Sequence, residues 1–328
     1  MKQEAFEERY RAQWESVERW LDTAESRTKS RRDADWRSLA AEFPERYRQV
    51  CQHLALARSR GYSPALEDRL NRLALRGHRQ LYQPRVRALR AVVQFIAFGF
   101  PSATRAHWQF MLASTLLFFG PLAAMTAAIA IEPTLAYSAL DAPTLHNIEA
   151  MYAEDAEHFG IERGSGGDFE MFGYYLFNNT TIGLRTIAGG VLGGLGSLFF
   201  LLFNGFYIGA VAGHLTQAGL GGNFWPFVVG HGSLELTAIV ISGGAGLRLG
   251  YAMWAPGQRR RSHALTDAAR AVLPLIFGAA LMFVLAAVVE AFWSSTVWLP
   301  AATKYAVGAL LWLLVGLYFA RMGRLHGS

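Results

Sequence analysis

The chain has 328 residues, of which 52% are hydrophobic and 17% charged, with a formal net charge of +6. Charged residues make up about a quarter of an average soluble protein, so this composition excludes a disordered chain and a purely soluble enzyme. The single cysteine, Cys51, excludes a disulfide scaffold and is typical of a reduced compartment.

Charge is concentrated near the start of the chain, where residues 1–83 predict a basic, helical, cytoplasmic bundle. Residues 1–108 carry 21 Lys/Arg and 13 Asp/Glu, which leaves 10 and 12 for the remainder. Apolar residues from Phe6 to Leu21 recur every three or four positions, which is typical of an amphipathic helix. The first twenty residues are charged and do not form a signal peptide, so we expect a cytoplasmic N-terminus. With membrane helices attached, the basic charge favours anionic lipid as a partner over nucleic acid.

Residues 84–108 mix arginine with apolar side chains. Arg85, Arg87 and Arg90 alternate with leucine and valine ahead of Pro101. This pattern predicts an elbow helix that lies along the membrane interface. The alternative is a further helix of the head bundle.

Residues 109–328 predict a transmembrane domain. Residues 109–131 are free of charge and long enough to cross about 30 Å of hydrocarbon. The loop 132–170 holds nine acidic residues and one basic residue, and a basic-poor loop favours the extracytoplasmic side. Further spans are predicted at 172–195, 197–217, 225–250, 271–293 and 301–322.

Basic residues then set the predicted orientation. Arg259, Arg260 and Arg261 mark a cytoplasmic loop, and Arg321 and Arg324 mark a cytoplasmic tail. We therefore expect both termini on the cytoplasmic side of a bacterial cytoplasmic membrane. The predicted fold is an all-α polytopic membrane protein with about six transmembrane helices. Because the connection at 193–197 carries no charge, five spans with a re-entrant segment are the alternative.

Glycines repeat at helical spacing within these spans. Gly205, Gly209 and Gly213 recur every four residues, and Gly189 and Gly193 have the same spacing. Small residues at this spacing let helix backbones approach closely, so we expect helix packing and a homodimer. A glycine-lined pore or hinge is the alternative.

Two ionisable residues are predicted to pair inside the membrane. Arg185 lies 11 residues after Tyr174, and Glu235 lies 10 residues after Trp225. If both helices run inward, the two side chains lie at matching depths. Charged residues inside a bilayer are costly and usually face a partner or a water-filled cavity, so we predict an Arg185–Glu235 pair.

A wider polar network is predicted around this pair. His231 and Glu235 are four residues apart, so they lie on one helix face and supply half of a metal site. His214 or Asn204 is the candidate for completing it. We favour polar packing over metal binding and predict no cofactor. The amides are expected to satisfy the backbone where helices break. The network comprises Arg185, His231, Glu235, Asn178, Asn179, Asn204 and His214.

Several motifs resemble the stage II sporulation protein M family of integral membrane proteins, over nearly the whole chain. They are Met1-Lys2-Gln3 with Phe6 and Trp14, Phe43-Pro44-Glu45-Arg46-Tyr47-Arg48, Tyr62-Ser63-Pro64 with Leu70-Asn71, Arg76-Gly77-His78 with Leu81-Tyr82, Asn178-Asn179, Asn204-Gly205 with Gly209, and His231-Gly232 with Glu235. The resemblance implies a membrane scaffold that holds cell-wall hydrolases and has no hydrolase activity of its own. The long basic head departs from the sporulation member, so that developmental role is not carried over. The resemblance also implies a cytosolic MoxR-type AAA ATPase or a von Willebrand-like protein as partner.

Two functions therefore compete at this point. The first is a non-enzymatic scaffold whose head recruits a cytosolic partner and whose acidic outer loop meets an envelope protein such as a cell-wall enzyme. Its basis is the length of the 132–170 loop, which exceeds what a connector needs. The alternative is a small-solute, ion or proton transporter or channel that uses Arg185, His231 and Glu235.

Overall fold

The computed structural model describes residues 2–25, 34–82, 84–153, 156 and 167–323. These residues form helices and no strand, so the all-α prediction is confirmed. The chain divides into two compact units, Met1–Val93 and Gln94–Ser328.

The first unit contains α1 (Gln3–Glu25), α2 (Ala34–Ser59), α3 (Pro64–Tyr82) and most of α4 (Pro84–Gln94). The amphipathic face predicted for α1 is buried: Phe6, Trp14 and Leu21 are at most 1% exposed. They share a core with Leu70 of α3 and with apolar residues of α2. This unit therefore has a hydrophobic core of its own.

Ion pairs inside the head use part of its basic charge. Arg69 pairs with Glu18 at 3.2 Å, and Arg76 contacts Asp22 at 2.5 Å and Glu25 at 2.9 Å, which joins α3 to α1. Hydrogen bonding to Glu25 raises the pKa of Arg76. These arginines stabilise the bundle in addition to any attraction to lipid.

The predicted interfacial elbow comprises α4, a π-helical turn (Phe95–Gly99) and α5 (Phe100–Ala106). Leu89, Arg90 and Val93 are exposed, and the side chains of Arg85 and Arg87 lie outside the described part of the chain. A position along the membrane interface stays a prediction.

The second unit continues with eight further helices in the described residues. They are α6 (Trp108–Ile131), α7 (Leu135–Ala139), α8 (Ala142–Ala150), α9 (Gly167–Ala188), α10 (Leu195–Gln217), α11 (Gly221–Trp254), α12 (Arg261–Val289) and α13 (Ala301–Arg321). A π-helical turn, Glu290–Ser294, extends α12. Helices α6, α10, α11, α13 and the extended α12 are long and apolar enough to cross a membrane. The helix α12 begins ten residues before the predicted span, at Arg261.

The helix α9 crosses the bundle although its amides and charges lower its apolarity. Gly205 of α10 packs on Phe118 of α6, and Gly213, further along α10, packs on Ile129, further along α6. Helices α6 and α10 therefore run parallel. The chain must return between them, so α9, which has 22 residues, runs antiparallel to both. Six helices therefore cross the bundle in the described residues, and five of them are long and apolar enough to cross a membrane.

A tight turn joins α9 to α10. Gly193 and Gly194 have φ values of +66° and +86°, a conformation that strongly favours glycine. The indole Nε1 of Trp254 donates to the Gly193 carbonyl at 2.8 Å. Gly189 packs directly on the backbone of Gly196 across this turn.

The helix α11 is central, because it packs against α6, α9, α10, α12 and α13. Its residues Ala238, Ile239 and Ala245 are fully buried. The glycine face of α10 is covered by α6 of the same chain. That face therefore gives no support to the predicted homodimer, which stays a prediction.

Candidate functional site

A cavity of about 300 Å³ lies among α8, α9, α10, α11 and the π-helical turn after α12. It is near the end of the bundle where α6 ends and α11 begins, which we call the acidic-loop end because residues 132–153 lie there. Most of the wall is aromatic or aliphatic, and the aromatic members are Tyr152, Tyr174, Tyr175, Tyr207, Phe224 and Phe227. Polar side chains converge on one part of this apolar cavity, an arrangement typical of ligand sites.

One histidine and two glutamates lie in the polar part of the wall, beside Asn178 and Asn179. His231 and Glu235 lie on one face of α11 as their spacing predicts, with Nε2 and Oε2 3.9 Å apart. Glu290, the first residue of the π-helical turn, places its Oε1 3.9 Å from the same Nε2. His231 is 5% exposed and Glu290 8%, and the side chain of Glu235 is 15% exposed. We call His231, Glu235 and Glu290 the buried triad.

Neighbouring side chains hold the triad in place. Nδ1 of His231 is 3.1 Å from the Ser294 hydroxyl. Asn179 Nδ2 points at Glu290 Oε2 at 3.5 Å, and Asn179 Oδ1 accepts from Asn178 at 3.1 Å. The predicted asparagine pair therefore faces the triad, so its amides do more than satisfy a helix break.

The predicted Arg185–Glu235 pair is wrong. Arg185 is exposed, and no ion pair joins it to Glu235. The physical reason is rotation about α9. Asn179 faces the triad, and Arg185 lies six residues later, which turns it about 240° away and moves it about 9 Å along the axis. Matching depth in two helices does not bring side chains together unless both also point inward.

The predicted completion of the half metal site is also wrong. His214 Nε2 contacts Glu149 of α8 at 2.8 Å, and Asn204 donates to the Phe200 carbonyl of its own helix at 2.6 Å. The third ionisable member is Glu290. Its presence near the end of an apolar span was a signal, but the sequence does not tell which side of α12 faces α11.

Lys304 is a buried cation that sequence reasoning missed, since it lies near the start of the last span. It is 1% exposed, and its ammonium donates to the carbonyls of Ser294 at 2.7 Å and Thr296 at 2.5 Å. A cation at the C-terminal end of a helix satisfies carbonyls that lack an intrahelical partner. Lys304 thus fixes the turn that carries Glu290 and Ser294.

The triad has the chemistry of a cation site. One ligand atom from each member can be chosen so that all three lie within 4.8 Å of one another. An imidazole nitrogen and two carboxylate oxygens can bind a metal ion or share protons. Among the described residues, no lysine or arginine forms an ion pair with either glutamate.

Fold and site together define a polytopic helical membrane protein with a polar cavity in its membrane body. Residues 112–295 match the family model of Stage II sporulation protein M. This match covers more than half of the chain, so the protein belongs to that family, and the predicted resemblance is confirmed for the membrane body; the head motifs lie outside the match. Residues 4–83 match a separate model, a domain of unknown function (DUF8413), so the two matches divide the head from the membrane body. No curated protein and no solved structure matches the chain significantly.

Proposed function

We propose that the membrane body binds a cation at the buried triad and exchanges it with the solution at the acidic-loop end. One observation carries the proposal: two glutamates and a histidine converge in one cavity, and no lysine or arginine of the described residues forms an ion pair with either carboxylate. In the predicted orientation this end faces outward from a bacterial cytoplasmic membrane.

The energetic argument is one of desolvation. Transferring a carboxylate out of water costs several kcal/mol even after relaxation of the protein. Two carboxylates near one imidazole also repel each other, since the interaction is stronger in a low dielectric than in water. A bound cation, or protons shared by the triad, offsets both costs. Buried ionisable groups of this kind in membrane proteins typically mark ion pathways and proton relays.

Part of the cavity wall comes from the end of α8 and the two residues after it. Ile148, Met151 and Tyr152 line it from the α8 side, and Tyr152 is 7% exposed. Asn223 of α11 donates to the Tyr152 carbonyl at 2.9 Å. Burial raises the pKa of Tyr152, so its hydroxyl stays protonated.

Flux measurements test the proposal. The full chain is reconstituted into liposomes that contain dyes for H⁺, Na⁺ and Zn²⁺, and each cation gradient is applied in turn. We expect flux of at least one cation, and we expect Glu290→Gln to abolish it because one carboxylate is neutralised without loss of volume.

Two matched variants serve as controls for this assay. Glu170→Gln makes the same change at an exposed residue of α9, and Arg185→Gln removes the cation that the sequence placed in the pathway. Both should conduct like the wild type. If liposomes with the wild-type protein conducted none of the cations, cation exchange would be refuted. A loss of flux in Arg185→Gln would support the pathway predicted through Arg185, His231 and Glu235.

The second candidate function is the scaffold. We propose that the head recruits a cytosolic partner, such as a MoxR-type AAA ATPase or a von Willebrand-like protein, while residues 132–170 contact a cell-wall enzyme. Two observations favour it. The head has its own buried core and its own family model, as an adaptor domain would. The described part of the acidic segment forms α7 and α8, which pack on α10.

Photo-crosslinking in native membranes tests the scaffold. A photoreactive residue replaces exposed Leu75 in the head or exposed His146 in the acidic segment, and Leu314 in α13 is the lipid-exposed control position. We expect one protein adduct from each of the first two positions and none from Leu314. If Leu75 and His146 gave only self-adducts, the scaffold would lose its support and the homodimer would gain it.

A further inference from the structure

We infer that the buried triad is a site for a divalent first-row transition-metal ion, held by Nε2 of His231 and one carboxylate oxygen each of Glu235 and Glu290. The inference rests on the proposed cation binding and names the class of cation. It follows from the donor set, the local backbone, the supporting hydrogen bonds and the cavity.

The donor atoms are close to coordination distance. Nε2 of His231 is 3.9 Å from an oxygen of each glutamate. Metal–ligand bonds of about 2.0–2.2 Å in a tetrahedral site place neighbouring ligand atoms about 3.4 Å apart. Each carboxylate oxygen must therefore move by about half an ångström toward the imidazole nitrogen, and the two carboxylate oxygens, which lie within 4.8 Å of each other, must approach by up to about 1.4 Å.

Local backbone geometry brings the third ligand in. His231 and Glu235 share one face of α11 because they are separated by one turn. Glu290 begins a π-helical turn at the end of α12. Such turns widen the helix by one residue and are frequent at functional sites. Lys304 holds this turn through two carbonyls, so the position of Glu290 is set by tertiary contacts.

Hydrogen bonds from neighbouring side chains orient both the imidazole and a carboxylate of the triad. When Nδ1 of His231 donates to the Ser294 hydroxyl, Nε2 keeps its lone pair and faces the carboxylates. The amide of Asn178 donates to Asn179 Oδ1, which leaves Asn179 Nδ2 directed at Glu290. Partners of this type orient metal ligands and typically change metal affinity about 10- to 100-fold when removed.

The donor set selects the ion class. Ca²⁺ and Mg²⁺ prefer oxygen ligands, whereas imidazole suits Zn²⁺, Fe²⁺ and related ions. Three protein ligands leave at least one coordination position open, and the adjoining cavity has room for a water molecule or small solute there. The site is therefore open-sided, as exchangeable or reactive metal sites are.

Metal titration of the purified full chain in detergent tests the inference. Zn²⁺ binding is measured by competition with a chromogenic chelator, and Co²⁺ binding is followed by its visible absorption. Mg²⁺ and Ca²⁺ are added as competitors. We expect one Zn²⁺ per chain, a Co²⁺ band that Zn²⁺ abolishes, and no competition from Mg²⁺ or Ca²⁺.

Variants locate the bound ion. His231→Gln, Glu235→Gln and Glu290→Gln should each abolish stoichiometric binding, and Asn179→Ala should weaken it about 10- to 100-fold. His146→Gln and Glu170→Gln make the same substitutions at exposed residues and should bind like the wild type. Size-exclusion chromatography verifies that every variant is folded. The Co²⁺ spectrum of the wild-type protein tests metal binding without any variant, so the inference can still be tested if the triad variants misfold.

The outcomes separate this inference from the proposed function. Absence of stoichiometric Zn²⁺ and Co²⁺ binding, or binding that survives in all three triad variants, overturns the metal site. Proton or Na⁺ flux without metal binding overturns the metal site and leaves cation exchange standing. Metal binding without flux of any cation supports the metal site and overturns exchange.

Discussion

Replacement of Gly209 by alanine probes the contact between α6 and α10. A Cβ atom at this position would lie 2.5 Å from the carbonyl oxygen of Leu122 and 2.9 Å from its Cα, against 3.4–4 Å for ordinary contacts. Both atoms belong to the α6 backbone, so no side chain can rotate away. The two helices must therefore separate locally, and the hydrogen bond from Thr126 Oγ1 to the Gly209 carbonyl, now 3.1 Å, must lengthen.

The expected magnitude follows from two opposing effects. A gap of about 0.5–1 Å forfeits a quarter to a half of the dispersion attraction of the affected atoms, and overpacking typically costs about 1–3 kcal/mol. Alanine is more favourable than glycine within a helix by about 0.5–1 kcal/mol. We therefore expect Gly209→Ala to lower the free energy of unfolding by about 1–2 kcal/mol.

Unfolding in mixed detergent micelles, followed by tryptophan fluorescence, measures this change. Gly316→Ala on α13 is the matched control, because nothing lies within 4 Å of its added Cβ and no proline follows it. It should leave stability unchanged or raise it by up to about 1 kcal/mol. Gly205→Ala should cost at least as much as Gly209→Ala, since its Cβ meets the Phe118 carbonyl. Gly213→Ala should cost less, because its nearest neighbour is a side-chain atom of Ile129, at 3.0 Å.

Comparison of the two glycine-to-alanine variants tests whether α6 and α10 pack through the glycine face. If Gly209→Ala and Gly316→Ala changed the free energy of unfolding by the same amount in the same direction, the two helices would not pack through this glycine face. The parallel arrangement of α6 and α10, and with it the crossing by α9, would then be refuted.

Two further predictions concern pH and the acidic segment. Burial lowers the pKa of His53 below its ordinary 6.5, so its contribution to stability is complete above about pH 6.5 and is lost as the pH falls through the folded-state pKa. Amide exchange in α1 and α2, corrected for intrinsic rates, should therefore become faster from about pH 7.5 to about pH 5. His53→Gln should remove that pH dependence, and an unchanged dependence in the variant would assign it to another group. His214→Ala removes the 2.8 Å contact with Glu149 and should make amide exchange in α8 faster. His146→Ala, which changes an exposed residue of α8 itself, should not. Equal effects of the two variants would show that the His214–Glu149 contact does not hold α8 in place.

The elements of this fold could be predicted from local patterns in the sequence. A helix that crosses a membrane must satisfy its backbone internally and present apolar side chains over about 20 residues, so long apolar runs determine where spans lie. The amphipathic spacing from Phe6 to Leu21 likewise determined which face of α1 is buried. The His231–Glu235 pair was predictable because a spacing of four residues fixes a common helix face.

What the sequence did not determine is the rotation of each helix against its neighbours. Apolar spans are hydrophobic all round, so periodicity gives little indication of which side faces the core. Only the tertiary structure shows that Asn179 points at Glu290 while Arg185 points away. It also shows that Glu290 completes the buried triad and that His214 instead contacts Glu149. These contacts join residues far apart in the chain, and they depend on packing between whole helices, which no local pattern encodes.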